Sequence, residues 1–353
     1  MRTNLFRGLG LGALIFALMF PAGEIRALAQ AKDKQQPQTQ PQQTPDGFSI
    51  SVMVPLVNVN AVVTDNNGNY LTALKKENFR ITEDGAPQAI TNFALTDAPI
   101  TIVLLLEFSK LGYQVFSYNA RNWSAAFLNN LKPNDWVALE TFNMRPNIEV
   151  DFTHDRNQIM QDLRTLMFPP FHESNLFDAV SDVLDRMQDV KGRKAVLLLA
   201  SGMDTFSRMN FDQVLRRIRE SDATIFSVGV GERLFIQADA SGSMGPIAEL
   251  NYLQAQNQLK AFAAMTGGRA WLPRFDGEIP SIMQEVAASL RYQYSLAYTP
   301  SNATLDGKYR KIKVELVAPD GGPLTVTDQK GKKVKFQVYA RQGYIAPKSS
   351  VGN

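Results

Sequence analysis

Thr101-Ile-Val-Leu-Leu-Leu106, followed directly by Glu107-Phe-Ser-Lys-Leu111, is the stretch that decides the fold of this chain. The run from Ile102 to Leu106 is apolar at every position, so no face of it suits water. Such a run is typical of a strand that is covered on both sides in a parallel sheet. The stretch therefore predicts a buried parallel strand that ends where Glu107 begins a polar loop.

Strand-like and helix-like segments alternate on the carboxyl side of this strand. Asp135 to Phe142, Ala195 to Leu199 and Ala223 to Val230 are predicted to be further strands. Apolar residues at helical spacing separate the strands, at Trp123, Phe127 and Leu131, at Leu176, Val180, Val183, Leu184 and Met187, at Phe211, Val214, Leu215 and Ile218, and at Met283, Val286 and Leu290. This alternation predicts an α/β fold with a doubly wound, mostly parallel sheet.

Period-two patterns flank this region on both sides. Val57, Val59, Ala61 and Val63 share one face of an extended segment, and residues 312–316 repeat the alternation near the other end. Either flank alone has few strands and open edges, so we expect both to pair into one antiparallel β-sandwich. The predicted segments are 47–97 (N-terminal β), 98–292 (α/β domain), 293–346 (C-terminal β, pairing with the first) and 347–353 (tail).

The first 29 residues are predicted to be a secretory signal peptide. Arg2 and Arg7 lead into the apolar run Gly8–Phe20, and Ala27-Leu28-Ala29 fits the small-x-small cleavage rule. An uncleaved amino-terminal anchor is the alternative, although the run is short for a full span. Residues 30–46, rich in Gln and Pro, predict a linker. We therefore expect an exported, periplasmic or secreted protein with no transmembrane span after signal cleavage.

The composition excludes several functional classes. The chain has 353 residues, 44% of them hydrophobic, and no cysteine, so it has room for a large core but no disulfide or thiolate metal site. Its net charge is +3, of which Arg2, Arg7 and Arg26 against Glu24 contribute +2 within the predicted signal peptide. So small a surplus gives no case for nucleic-acid binding.

Short blocks near both ends of the folded region carry a family resemblance. The blocks, in chain order, are Val62-Val63-Thr64-Asp65 with Gly68, Leu74–Phe79, Glu83-Asp84-Gly85, Thr266–Ala270, Tyr298-Thr299-Pro300, Asp306–Arg310 and Ala340–Tyr344. Their order resembles the von Willebrand factor type A (vWA)-related family of exported acidobacterial proteins. The resemblance implies a vWA-like domain and a non-enzymatic protein-interaction or adhesion module, although fold alone does not fix function.

The resemblance also implies a metal-ion-dependent adhesion site, in which an Asp-x-Ser-x-Ser loop, a Thr and a second Asp hold one divalent cation at the carboxyl edge of the sheet. In this sequence Glu107 takes the place of the first Asp and Ser109 keeps the first hydroxyl. Leu111 replaces the second hydroxyl and cannot bind a cation. Ser174 substitutes for the Thr, and Ser201 stands where the second Asp is expected.

We therefore expect a degenerate site with no cofactor. The partner-binding rim is predicted to comprise Glu107, Ser109, Leu111, Ser174, Ser201 and Asp204. Asp204 could reach back to replace the lost carboxylate, and Lys110 adds a positive charge nearby. The alternative is a functional site that binds Mg²⁺ or Mn²⁺ weakly through Glu107, Ser109 and Ser174. The expected partner is an unidentified envelope or extracellular protein.

A hydrolase is a less favoured alternative. Ser109 or Ser174 could act as nucleophile with His172 as base, but no nucleophile-elbow motif accompanies them. We therefore predict that the protein is not an enzyme.

Other motifs have plainer interpretations. Asp239–Met244 spells the adhesion motif but follows the third buried strand, and is predicted to be a surface loop. Phe168–Phe171 is predicted to plug the rim or, if exposed, to contact a partner. The three tryptophans are predicted to be core residues, at Trp123, Trp136 and Trp271.

Overall fold

The computed structural model describes residues 56–110, 122–166, 169, 171–231, 235–236, 240–242, 245–327 and 331–348. The predicted signal peptide, the predicted linker, Leu111 and the ends of the Asp239–Met244 motif lie outside these residues. Along the described chain, no helix combines the length and apolar character that a membrane crossing requires.

Sixteen strands are found along the described chain: β1 Val57–Asp65, β2 Phe79–Glu83, β3 Ala86–Gln88, β4 Ile90–Thr96, β5 Ile100–Glu107, β6 Trp136–Phe142, β7 Pro146–Thr153, β8 Arg193–Ala200, β9 Thr224–Gly229, β10 Ala270–Trp271, β11 Gln293–Tyr298, β12 Tyr309–Leu316, β13 Val326–Thr327, β14 Lys333–Val334, β15 Phe336–Ala340 and β16 Gly343–Ile345. Five helices accompany them: α1 Arg156–Thr165, α2 Leu176–Arg186, α3 Phe211–Glu220, α4 Pro246–Thr266 and α5 Ile279–Arg291. Residues 122–128 are also helical.

A six-stranded sheet in the order β10-β9-β8-β5-β6-β7 forms the centre of the α/β region. Strand β5 pairs in parallel with both β6 and β8, β9 pairs in parallel with β8 and β10, and only the edge strand β7 is antiparallel. Ile102 to Leu106 are completely buried in the middle of this sheet. The unbroken apolar run is thus explained by cover on both faces.

Helices cover the two faces of this sheet. One core packs α1, α5 and the helical residues 122–128 against it, and Trp123 and Phe127 are buried there. The other core packs α2, α3 and α4 against the opposite face. Asn210 caps α3, because its side chain accepts from the Gln213 N–H at 3.0 Å while the Gln213 side chain accepts from the Asn210 N–H at 2.8 Å. The sheet is therefore doubly wound.

The flanking segments form two four-stranded sheets, in the orders β15-β1-β11-β4 and β16-β12-β2-β3. Strand β1 pairs antiparallel with β11 and β15, and β2 pairs antiparallel with β12, so segments from both ends of the chain meet. The sheets share one apolar core. Inside it, the Glu83 carboxylate accepts hydrogen bonds from the Tyr298 hydroxyl at 2.7 Å and the Tyr344 hydroxyl at 3.0 Å. The predicted fold class is confirmed; the domain boundaries stay predictions.

Trp136 is not a core residue, and the prediction that it is one is wrong. Its side chain is 42% exposed at the start of β6, where it contacts the His154 ring with centroids 3.8 Å apart. Trp123 is buried as predicted, whereas Trp271 is half-buried and donates its indole N–H to Glu285 at 3.1 Å. A strand pattern marks which residues are extended, but not how well the first residue of a strand is covered.

Candidate functional site

Three loops meet at the carboxyl edge of the parallel sheet. Loop 1 (residues 107–110) contains the last residue of β5 and those after it, loop 2 (171–175) precedes α2, and loop 3 (201–207) follows β8. Parallel strands end at the same edge, so the loops after β5 and β8 lie side by side. Together the three loops form the rim.

Glu107 lies at the centre of the rim and is 1% exposed. One carboxylate oxygen accepts a hydrogen bond from the Ser109 hydroxyl at 2.7 Å, and the other accepts from the Ser201 backbone N–H at 2.6 Å. Burial raises the pKa of Glu107, and the hydrogen bonds from Ser109 and Ser201 partly oppose that rise. Glu107 thus links loop 1 directly to loop 3.

Ser174 joins loop 2 to loop 3 through its backbone. Its N–H donates to the Thr205 hydroxyl at 2.9 Å, and its carbonyl accepts from the N–H groups of Thr205 at 2.8 Å and Phe206 at 3.0 Å. The Ser174 hydroxyl is fully buried without a hydrogen-bond partner of good geometry, yet lies close enough to Glu107 to lower its pKa slightly. The structure therefore brings Glu107, Ser109, Ser174 and Ser201 together.

Asp204 does not reach back to that centre. Its carboxylate accepts from the Ser207 hydroxyl at 2.5 Å and from the Phe177 N–H at 3.2 Å, in the first turn of α2. Burial raises the pKa of Asp204, and these hydrogen bonds oppose the rise. Asp178 fixes the far end of the loop by accepting from the Arg208 and Met209 N–H groups. Loop 3 is thus held by side chains that sequence reasoning missed, above all Thr205 and Ser207.

The remaining predicted features have mixed outcomes. Lys110 donates its N–H to the Phe171 carbonyl at 2.8 Å and is exposed. His172 is exposed, while Ser109 and Ser174 are buried, and these three described residues share no hydrogen bond. Of the Asp239–Met244 motif only residues 240–242 are described, so its interpretation as a surface loop stays a prediction.

The described residues of the rim leave few ligands free for a divalent cation. Mg²⁺ demands an octahedron of oxygens, usually with more than one carboxylate or phosphate. Glu107 brings one carboxylate whose two oxygens already accept hydrogen bonds, and burial disfavours its charged form. Asp204 is directed to α2 instead. Across the described residues, no three His, Asp or Glu side chains form a group that could hold a metal ion.

Large apolar side chains are exposed around this polar centre. Phe171 is 44% exposed and Phe206 48% exposed, and the backbones of both residues are hydrogen-bonded within the rim. The first residues of α4, 246–251, are exposed on all sides and include Ile247 and Leu250, the latter 64% exposed. Helix α4 lies against loop 3, since a Cβ on Gly202 would come within 2.4 Å of the Ala255 carbonyl oxygen. Loops 2 and 3 and the start of α4 thus expose four large apolar side chains, Phe171, Phe206, Ile247 and Leu250, which we call the apolar border.

Comparison with known proteins identifies the α/β region. Residues 101–259 match the model of the von Willebrand factor type A domain. Among curated proteins no sequence matches the chain.

Solved structures with similar folds are distant. The conserved protein BatB from Bacteroides thetaiotaomicron is 14% identical with a TM-score of 0.41, over 55% of this chain and 100% of that one. The vWF domain of the type V pili tip protein Mfa5 from Porphyromonas gingivalis is 11% identical with a TM-score of 0.41, over 55% of this chain and 96% of that one. Likeness at this distance carries no conclusion about function. The family match itself covers residues 101–259, and over that region the chain is similar to the von Willebrand factor type A domain.

Proposed function

We propose that the protein is an exported, non-enzymatic interaction module that docks a partner protein at the rim, with little or no dependence on a divalent cation. The single observation that carries this proposal is the closed hydrogen-bond network of Glu107 with Ser109 and Ser201. Protein donors satisfy the carboxylate that would otherwise bind a cation. The loops are therefore held in place without a metal.

The apolar border supports docking of a protein. Exposed aromatic and aliphatic side chains grouped together are typical of contact surfaces. Phe171 and Phe206 are exposed on loops 2 and 3, and Ile247 and Leu250 are exposed on helix α4, which packs against loop 3 at Gly202. Their polar centre is buried and its groups are largely paired, so a partner would gain most of its contact energy from the apolar border.

One observation favours a second candidate, a metal-dependent adhesion site. The buried Ser174 hydroxyl has no partner of good geometry and lies beside Glu107, where a weakly bound cation could use it. A hydrolase has less support, because His172 is exposed while the two candidate serines are buried. We therefore propose metal-free docking first and metal-dependent docking second.

Thermal unfolding of the chain without its first 29 residues separates these two candidates. A cation that binds only the folded state at 100 times its dissociation constant adds about 2.7 kcal/mol of stability. We expect equal unfolding midpoints in EDTA and in millimolar Mg²⁺ or Mn²⁺. The matched positive control is Glu107→Asp combined with Ser201→Asp, which restores two carboxylates. A midpoint that rises with Mg²⁺ in the unmodified protein, and not in Glu107→Ala, would refute metal-free docking.

Partner capture tests the docking surface itself. Phe206→Ser with Leu250→Ser changes the apolar border, and Ile148→Ser is the control, since Ile148 is 52% exposed on strand β7. We expect the border variant to lose cross-linking to envelope proteins of the producing cells while the control keeps it, in EDTA as well as in Mg²⁺. Equal capture by both variants would refute docking at the rim.

A further inference from the structure

A polar cavity lies at the edge of the parallel sheet opposite the rim. It has a volume of about 350 Å³, and its lining includes the start of β8, the start of β9 and the outer face of the sandwich sheet that contains β1 and β11. Asn60 of β1 and Ser295 of β11 are register partners and both line it. The side chains on the other face of those strands fill the apolar core of the sandwich. The cavity is therefore separate from the rim.

Positive charge dominates this cavity. Lys191, Arg193, Lys194 and Arg341 line it, against the single carboxylate of Asp222. That carboxylate is already paired, because the Lys194 ammonium lies 2.6 Å from it. The Lys194 ammonium also donates to the Met187 carbonyl at 3.0 Å.

The two guanidinium groups have neutral acceptors and no carboxylate partner among the described ion pairs. Arg341 donates to the carbonyls of Ser221 and Gly343, both at 3.0 Å. Arg193 donates to the Ala98 carbonyl at 3.0 Å, the Gln293 side chain at 2.8 Å and the Leu290 carbonyl. The Arg193 Nε is buried with no partner at all.

Burial makes these charges costly. It lowers the pKa of Arg193 to about 10 and also lowers the pKa of Arg341. The carboxylates of Asp135 and Asp97 near Arg193, and of Asp222 near Arg341, oppose this lowering only in part. A buried cation that is incompletely neutralised is unfavourable, so an added anion would be stabilised there. The nearby uncharged side chains of Asn60, Ser295 and Thr224 are hydrogen-bond donors rather than anions.

We propose that this cavity, lined by Arg193, Lys194, Arg341, Asn60 and Ser295, is a binding site for the phosphate or sulfate group of a small molecule. Guanidinium forks match tetrahedral oxyanions in a bidentate way, and the hydroxyl and amide groups can donate to the remaining oxygens. The volume exceeds that of the anion alone, so there is room for part of the molecule that bears it. The site is independent of docking at the rim.

Titration calorimetry with inorganic phosphate, at ionic strength held constant with chloride, tests this site in the full chain. We expect saturable binding, weakened roughly tenfold or more by Arg341→Gln, since a charge-assisted hydrogen bond contributes that much. The control is Lys313→Gln, which removes the same charge from an exposed lysine of the sandwich. Its dissociation constant should equal that of the unmodified protein.

A second variant keeps the test decisive if Arg341→Gln fails to fold. Asn60→Asp places a carboxylate in the cavity, so it should abolish phosphate binding and raise the unfolding midpoint in the absence of phosphate. If phosphate raises the unfolding midpoint without saturation and equally in all variants, the effect is only the exclusion of phosphate from the protein surface. That result, or equal phosphate affinity in Lys313→Gln and Asn60→Asp, would overturn the proposal.

Discussion

Glu107→Gln and Glu107→Asp separate the length of the Glu107 side chain from its charge. Glutamine keeps the length, so its amide oxygen can still accept from the Ser201 N–H and its amide nitrogen can donate to the Ser109 oxygen. The hydrogen bonds that Glu107 makes with the Ser201 N–H at 2.6 Å and the Ser109 hydroxyl at 2.7 Å would thus each be replaced by another hydrogen bond. A buried charge is removed at the same time. We expect the free energy of unfolding to change by no more than about 1 kcal/mol at neutral pH.

Aspartate has the opposite combination of properties. It keeps the charge but is one methylene shorter, so its carboxylate cannot bridge Ser109 and Ser201 without movement of the backbone. Loss of the buried methylene costs about 0.8 kcal/mol. An unsatisfied buried donor costs about 1–3 kcal/mol more. We therefore expect Glu107→Asp to lower the free energy of unfolding by about 2–4 kcal/mol.

The pH dependence gives an independent check on Glu107. Because burial raises its pKa in the folded state, the folded protein binds this proton more tightly than the unfolded chain does. The contribution of Glu107 to stability is therefore complete below the unfolded pKa and is lost as pH rises through the folded pKa. The slope is at most about 1.4 kcal/mol per pH unit. Glu107→Gln should remove this slope.

Urea unfolding followed by tryptophan fluorescence measures these differences, since Trp123 is buried in the core next to β5. Unchanged m-values would show that the variants alter stability rather than the extent of unfolding. A loss of more than about 3 kcal/mol in Glu107→Gln, with little change in Glu107→Asp, would refute this reasoning. It would mean that the charge, and hence a bound cation, stabilises the rim.

Three further predictions concern the fold. Burial raises the pKa of Glu140 from 4.5 to about 7. The contribution of Glu140 to the free energy of unfolding should therefore fall as the pH rises from 4.5 to beyond 7. In urea titrations at several pH values, Glu140→Gln should lack this pH dependence. Gly268→Ala would place a Cβ 2.0 Å from the Ile225 carbonyl oxygen, so we expect a loss of about 1–3 kcal/mol by urea unfolding. Gly277→Ala, with open space around it, should leave stability unchanged. Asn210→Ala removes the α3 cap and should cost about 1 kcal/mol in the same assay.

The sheet could be predicted because burial on both faces leaves a direct trace in the sequence. The first and last residues of its strands could not be predicted in the same way. Strand β8 was predicted to begin at Ala195 but begins at Arg193, so two charged residues belong to it. Their side chains reach carbonyls and, for Lys194, the Asp222 carboxylate beyond the strand end. A hydrophobicity pattern classifies each side chain as a whole. Lys and Arg side chains, however, can bury their apolar stems and direct their charged ends elsewhere.

The members of the candidate site could be named from sequence, but not how they are held. Glu107, Ser109 and Ser201 could be matched to positions of a motif, yet the contact between Thr205 and Ser174 depends on how two loops approach each other in space. The direction of the Asp204 side chain could not be predicted for the same reason. Its carboxylate contacts Phe177, and no spacing in the sequence indicates that contact. The basic cavity was missed because its lining residues come from six separate segments of the chain.

Under the metal-free docking that we propose, Glu at position 107 and Ser at position 201 have one common explanation. In a metal-dependent site the cation itself holds the loops together by binding oxygens from each of them. Here Glu107, one methylene longer than Asp, accepts from the Ser201 backbone N–H, and in the metal-free site that we propose this contact would link loops 1 and 3 in place of a cation. A second carboxylate at position 201 would face Glu107 in a buried setting, where like charges repel strongly. Serine at position 201 avoids this repulsion. In the proposed site, Glu at position 107 and the absence of Asp at position 201 therefore go together.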